Sequence, residues 1–231
     1  MVQSAIQIDF FGDSPPGEAT RYIVGRYTKK LVEQCLSDLE EFSLKLNLKE
    51  KALCQLYNTM VCVEGKIKPF AERILKQVVY KLILDDEADI STRVLKITEL
   101  LGLYVETEYL LPIIVTHLTD QESKTVPLFV QSCLTALSAV ITRSSVRFAD
   151  QFDGQMDRLL DLIVSSDYLQ CDNPDVLART ALVTNNIVFA GGQQSCKPRQ
   201  HTLFKILLQL ASSPLIEKQR GLVNGTIELL A

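Results

Sequence analysis

Phe70-Ala71-Glu72-Arg73-Ile74-Leu75-Lys76-Gln77-Val78-Val79-Tyr80-Lys81-Leu82-Ile83 decides the fold class. Its apolar residues Phe70, Ile74, Leu75, Val78, Val79, Leu82 and Ile83 recur in steps of three and four, which puts them on one helix face. Pro69 stands where a first helical turn tolerates it, because that N–H would lack a partner anyway. Asp85-Asp86 then breaks the pattern, and Val94, Leu95, Ile97, Leu100, Leu101 and Leu103 resume it as a broader stripe. A stripe of that width is expected of a helix covered on more than one side.

The same grammar extends in both directions. Helix pairs are expected at about 20–36 with 46–63, 69–84 with 90–105, 107–118 with 126–142, 147–165 with 174–190, and 199–212 with 215–231. The breaks carry Ser37-Asp38, Asp85-Asp86, Thr119-Asp120, Ser165-Ser166-Asp167 and Ser212-Ser213, side chains that satisfy exposed helix-end N–H groups and favour turns. Pro174 and Pro214 stand near the start of second helices. A basic residue recurs early in several second helices: Lys51, Arg93, Arg179 and Arg220, with Gln131 near the expected place in the third pair. The intervals are 93 − 51 = 42, 179 − 93 = 86 = 2 × 43, and 220 − 179 = 41. A helix-pair repeat of roughly 40–47 residues is the HEAT or armadillo signature. One amphipathic pair cannot bury its apolar face alone, so pairs stack, and an acidic turn can bond a basic residue of the same or next repeat. The expected fold is all-α: an α-solenoid of about five HEAT-type helix pairs over residues 18–231. Residues 1–17, where Ala5-Ile6-Gln7-Ile8-Asp9-Phe10-Phe11 precedes Gly12-Asp13-Ser14-Pro15-Pro16-Gly17, read as an extended arm and turn. The apolar ending Glu228-Leu229-Leu230-Ala231 lacks the polar cap of a terminal repeat, so a fragment of a longer array is expected.

Composition narrows the function. Of 231 residues, 47% are hydrophobic, too many for intrinsic disorder, and 10 Gly with 8 Pro are too few for a linker-like chain. The formal charge of −4 supplies no general field toward nucleic acid or anionic lipid. The apolar runs Leu100–Val105 and Tyr109–Val115 fall short of the roughly 18 residues a membrane span needs, and no secretory signal opens the chain. A soluble intracellular protein is therefore expected. Cys35, Cys54, Cys62, Cys133, Cys171 and Cys196 contain no C-x-x-C, and His117 and His201 have no regular spacing to any cysteine pair, so neither zinc site nor disulfide set is expected. Reduced, buried thiols are the expectation, with Cys35, Cys54, Cys62 and Cys133 inside apolar helical patterns. Asn224-Gly225-Thr226 matches a glycosylation acceptor by chance in such a chain.

Catalytic motifs fail on inspection. Gly12-Asp13-Ser14 resembles the opening of the GDSL-type esterases, whose serine takes its base from Asp-x-x-His. Here His201 follows Pro198-Arg199-Gln200, His117 follows Ile114-Val115-Thr116, and the α/β pattern of such a hydrolase is missing. Glu40-Glu41 and Asp85-Asp86-Glu87 lie in polar turns rather than in a cleft that would separate two pKa values. Gly191-Gly192 reads as a helix stop and loop, since no phosphate-cradling glycine motif exists. No catalytic residue, cofactor or metal ligand is assigned. Two surface features remain: Lys29-Lys30 with Arg21 and Arg26 near Tyr22 and Tyr27, read as a helix surface, and the polar loop 191–200, read as a contact segment.

Three stretches carry a family resemblance: Asp9-Phe10-Phe11 with Pro15-Pro16; Ser37-Asp38 through Lys49-Glu50-Lys51-Ala52; and Arg93-Val94-Leu95-Lys96 through Leu100-Leu101-Gly102-Leu103-Tyr104-Val105 to Tyr109-Leu110-Leu111-Pro112. Over roughly residues 9–142 the chain resembles HEAT-repeat proteins of the dynein axonemal assembly factor 5 type. The resemblance implies a cytoplasmic, non-enzymatic scaffold that helps preassemble axonemal dynein arms for motile cilia or flagella. Implied partners are proteins, namely dynein chains, chaperones and other assembly factors, with no nucleic acid and no membrane. The repeat architecture by itself equally suits another HEAT-repeat adaptor, such as a nuclear transport receptor, phosphatase scaffold or condensin-like subunit.

Overall fold

The computed structural model describes residues 16–41, 46–120, 125–165 and 167–230. Most of the expected arm, including Gly12-Asp13-Ser14, lies outside them. Among the described residues the chain is helical without strands. The helices are α1 (Glu18–Arg26), α2 (Thr28–Glu41), α3 (Leu46–Val63), α4 (residues 71–82), α5 (Ala88–Tyr104), α6 (Thr107–Thr119), α7 (Pro127–Arg147), α8 (Ala149–Ser165), α9 (Pro174–Cys196), α10 (Gln200–Ser212) and α11 (Arg220–Leu230). Residues form two compact units, one ending at Val105 and one beginning at Glu106.

In the first unit α2 packs on α3, α3 on α5, and α2 on the middle of α4, so first helices lie against first helices and second against second. That is HEAT-type stacking. Leu53, Leu56 and Met60 of α3 meet a core that includes Ile74, Leu75, Val78 and Val79 of α4 and Ile90, Val94, Ile97 and Leu101 of α5, all fully buried. Burial of each such side chain contributes about 1.5–3 kcal/mol. The deciding stripe is thus core, with Phe70 and Leu82 half-buried at its ends. Its helix is not uniform: Leu75–Val79 form a π turn, which rotates Tyr80 into the buried set.

The first expected helix is broken. Tyr27 leaves helical geometry (φ −110°, ψ 16°), and the Thr28 hydroxyl caps the interruption by donating to the Val24 and Gly25 carbonyls at 3.3 and 3.0 Å. Leu95, expected in the broad stripe of α5, points outward and is 36% exposed, whereas Val94, Ile97, Leu100 and Leu101 are buried. Position 95 lies about 100° from Val94 around the helix, just beyond the buried arc.

The second unit repeats the scheme three times. α6, α8 and α10 stack as first helices, and α7, α9 and α11 as second helices. Phe152 and Met156 of α8, Leu134, Leu137 and Val140 of α7, Val183 and Ile187 of α9, and Leu203 and Ile206 of α10 are buried. Asn173 caps α9, its side-chain oxygen accepting from the Asp175 and Val176 amides, with Pro174 at the first helical position. Pro214 instead opens a 3-10 segment, Pro214–Gln219, that precedes α11.

The helix stop expected at Gly191-Gly192 is real, since Gly192 leaves helical geometry, but no open loop follows: a helical turn runs on to Cys196, and a 3-10 turn Lys197–Arg199 leads directly into α10. Gly192 has φ 61° and ψ −179°, a conformation that only glycine adopts without strain. Gly191 lies so close to Met156 of α8 that a Cβ there would come within 2.6 Å of its sulfur.

Candidate protein-binding face

The second helices of the unit from Glu106 onward build a polar, partly exposed face. Arg179 on α9 donates through Nη1 to Thr135 Oγ1 on α7 at 2.6 Å. Two turns further, Asn186 Nδ2 donates to Ser138 Oγ at 2.7 Å and Thr142 Oγ1 at 3.1 Å. On the other flank of α9, Thr226 of α11 donates to Asn185 Oδ1 at 2.9 Å. Thr135 and Thr142 can accept because each spends its own proton on the carbonyl four residues earlier, and Thr226 shares its single proton between Asn185 and the Leu222 carbonyl. Burial lowers the Arg179 pKa, and the charge of Asp175 one turn away works in the opposite direction. The guanidinium stays cationic, since arginine's ordinary pKa is above 12.

Above this floor the face is apolar and open. Leu182 is 39% exposed, while Phe189 on α9 and Val146 on α7 are both 77% exposed. A cavity of about 340 Å³ is lined by Gln193, Cys196, Lys197, Gln200, Leu229 and Leu230, and a smaller one of about 190 Å³ that shares Gln193, Cys196, Leu229 and Leu230 reaches Phe189. Gln200 closes one edge by donating to the Leu230 carbonyl at 2.8 Å.

The first helices of this unit present a different surface. Asp150, Asp153, Asp157 and Asp161 recur along the outside of α8 and are exposed. Arg199 binds two of them, Nη1 to Asp153 at 2.8 Å and Nε to Asp157 at 2.7 Å, and also donates to the Ser195 carbonyl at 2.7 Å. Hydrogen bonds from Ser195 and Arg199 hold Asp153 below its ordinary pKa, and the Arg199 hydrogen bond does the same for Asp157. Within the 191–200 segment, Arg199 is thus committed to α8, while Gln193, Gln194, Lys197 and Pro198 remain exposed.

The recurring basic residues divide. Arg93 Nη1 reaches back from α5 to Cys54 Sγ of α3 at 3.0 Å, as Arg179 reaches back to Thr135, whereas Lys51 and Arg220 are exposed. The acidic-turn pairing is made by another lysine: Lys49 of α3 bonds Asp85, in the turn of the next repeat, at 2.8 Å. The basic patch near the start is partly committed, since Arg21 pairs with Glu64 and donates to the Pro16 carbonyl. Lys29 and Lys30 are exposed on α2.

The cysteines are free, with Cys35, Cys62, Cys133 and Cys196 buried and Cys54 and Cys171 half-buried. Burial, reinforced by Asp38, pushes the Cys35 thiol up to about 12. Burial also raises Cys54, Cys62 and Cys196. Among the described residues no three His, Cys, Asp or Glu side chains gather as a metal-binding group, and no helix is long and apolar enough to cross a membrane. Thr226 of the glycosylation match is 1% exposed and hydrogen-bonded inside α11, so the acceptor geometry is closed.

A family model described as the HEAT-repeat domain of dynein axonemal assembly factor 5 matches residues 11–214. No curated protein gives a significant match. Among solved structures, an engineered protein is similar at 13% identity, covering 98% of this chain and 96% of that one with a TM-score of 0.42. A designed armadillo repeat protein is similar at 13% identity over 100% of both chains, with a TM-score of 0.41.

Proposed function

The chain belongs to the HEAT-repeat domain family of dynein axonemal assembly factor 5, and on that premise we propose a non-enzymatic, protein-binding scaffold in the cytoplasmic preassembly of axonemal dynein arms. The observation that carries the reading is the family match over residues 11–214, which runs through both compact units. It also supports treating residues 18–231 as one repeat array preceded by an arm. Stacked helix pairs present continuous rows of second helices, and binding there needs no catalytic group. The Arg179–Leu182–Asn186–Phe189 face is suited to that task, combining a cation, a rigid polar floor and exposed apolar side chains.

The test is affinity purification of the full-length protein from its source cytoplasm, with mass spectrometry of what accompanies it. Dynein heavy or intermediate chains together with chaperones are the expected result. Recovery of karyopherin cargo or a phosphatase catalytic subunit in their place would keep the scaffold and discard the dynein-arm role.

A further inference from the structure

Arg179, Leu182, Asn186 and Phe189 fall at i, i+3, i+7 and i+10 along α9, which sets them on one stripe of the helix. The stripe runs from a cation to an apolar end; its one carboxylate, Asp175, stands a turn before Arg179, at the end away from Phe189. Among the described residues Arg179 forms no ion pair with a carboxylate; Nη1 bonds Thr135 and Nε is buried without a partner, which leaves the Nη end of the guanidinium for a ligand. Asn186 is pinned to α7 by Ser138 and Thr142, so the middle of the stripe is rigid. At the far end Phe189 has a neighbour of equal exposure: Val146 lies one turn beyond Thr142, as Phe189 lies one turn beyond Asn186.

We propose, building on the scaffold reading above, that this stripe docks an extended protein segment carrying an acidic residue for Arg179 and, four or five residues along, an apolar side chain for Phe189 and Val146. The spacing follows from geometry. Ten helical residues separate Arg179 from Phe189 and span about 15 Å, and an extended chain covers that distance in about four to five residues. A guanidinium N–H binds a carboxylate more strongly than a neutral acceptor, because the hydrogen bond is charge-assisted. Charge also sorts the segment to this face: the outer stripe of α8, with Asp150, Asp153, Asp157 and Asp161, repels an acidic chain.

The experiment pans a library of random twelve-residue peptides displayed on phage against the full chain, then titrates the most enriched peptide, made synthetically, by fluorescence anisotropy. Enriched sequences should carry Asp or Glu four or five residues from an aromatic or branched aliphatic residue. Arg179→Gln should weaken binding about tenfold or more, Arg179→Lys less, and Phe189→Ser comparably to Arg179→Gln. Because Phe189 is 77% exposed, its variant should keep the native melting temperature, which separates lost docking from lost folding. Enrichment of peptides without an acidic residue, no enrichment at all, or affinity unchanged in both Arg179→Gln and Phe189→Ser would overturn the proposal. Full-length Arg179→Gln and Phe189→Ser proteins that still recover dynein chains from cytoplasm would overturn it while leaving the scaffold reading in place.

Discussion

The two compact units solve one problem with different chemistry. In the first, neighbouring repeats are joined by the Lys49–Asp85 ion pair, whose side chains are only 12% and 16% exposed, and by Arg93 on a cysteine sulfur. In the second, second helices are joined by hydroxyl and amide groups and by Arg179 on the Thr135 hydroxyl, and the ion pairs sit outside on α8, where Asp153 and Asp157 are 53% and 69% exposed. The offsets are nonetheless similar: 36 and 39 residues in the first unit, 41 and 44 in the second. Helix-pair stacking fixes the period, and the side chains that bridge it are interchangeable. What differs is the surface left over. The later unit is left with a face on its second helices where Arg179 and exposed apolar side chains stand together.

Core truncation should have the largest effect and treat both units alike. Leu101→Ala in the first and Leu137→Ala in the second remove fully buried side chains and should each cost about 2–5 kcal/mol in chemical denaturation. Leu95→Ala, at a position 36% exposed, should stay within about 0.5 kcal/mol. Equal losses at Leu95 and Leu101 would overturn the assigned helix face.

The bridging chemistries should separate next. Lys49→Ala strands Asp85 in a mostly buried site and should cost about 2 kcal/mol, less than a fully enclosed pair because some solvent reaches it. Asn186→Ala should cost about 1 kcal/mol. Raising the salt concentration should leave the Asn186 difference unchanged and shrink the Lys49 difference only slightly, since buried charges are poorly screened. A large salt response at Asn186 would contradict the neutral-bridge reading.

Adjacent glycines make a finer contrast. Gly192→Ala must hold a positive φ and should cost about 1–3 kcal/mol. Gly191→Ala should cost less, because the contact it creates is with the flexible end of Met156. Thermal melts of the two variants decide the order, and a more damaging Gly191→Ala would mean that Met156 is rigidly held.

The smallest effects are in pH dependence. Asp153 and Asp157 have depressed folded-state pKa values, so their contribution is complete above the ordinary carboxylate range near pH 4 and is lost as pH falls through those lower values. Cys35 acts at the other end. Its thiol is raised from 9.0 to about 12, so its contribution is complete below pH 9.0 and is lost as pH rises toward the folded value. Melting temperature measured against pH should show a small acid shoulder that shrinks in Arg199→Gln, with the part that Ser195 gives Asp153 remaining, and an alkaline decline softened in Cys35→Ala. An acid shoulder undiminished in Arg199→Gln would place its origin elsewhere.

Helix pairs were legible from apolar steps because one buried stripe per helix is what stacking demands. The stripe at 70–83 is core, the breaks at Asp85-Asp86 and Ser212-Ser213 and the helix start at Pro174 are real, and Ser37-Asp38, read as a break, lies inside α2. The interruption at Tyr27 was not legible, since it depends on a threonine hydroxyl finding two carbonyls. The stop at Gly191-Gly192 was legible, but polarity misled beyond it, where a run of polar side chains suggested a loop although Arg199 had carboxylates waiting on α8. The binding face was only partly visible. Arg179 stood out by its period, but Thr135, Thr142 and Asn186 became a group only once α7 and α9 were side by side. A signal did exist in the shared interval of 44 residues that separates Thr135 from Arg179 and Thr142 from Asn186. The family resemblance faded near residue 142 because HEAT helices share a common grammar, whereas the family match continues to residue 214.

The most direct measurement is site-specific photo-crosslinking in the full-length protein, expressed in its source cytoplasm with a benzoylphenylalanine at position 189 or, on the outer surface, at position 205. Dynein chains captured from position 189 and absent from position 205 are the predicted result. Capture from position 205 alone, or no dynein chain from either position, would contradict the assignment of a dynein-arm scaffold that binds through its second helices.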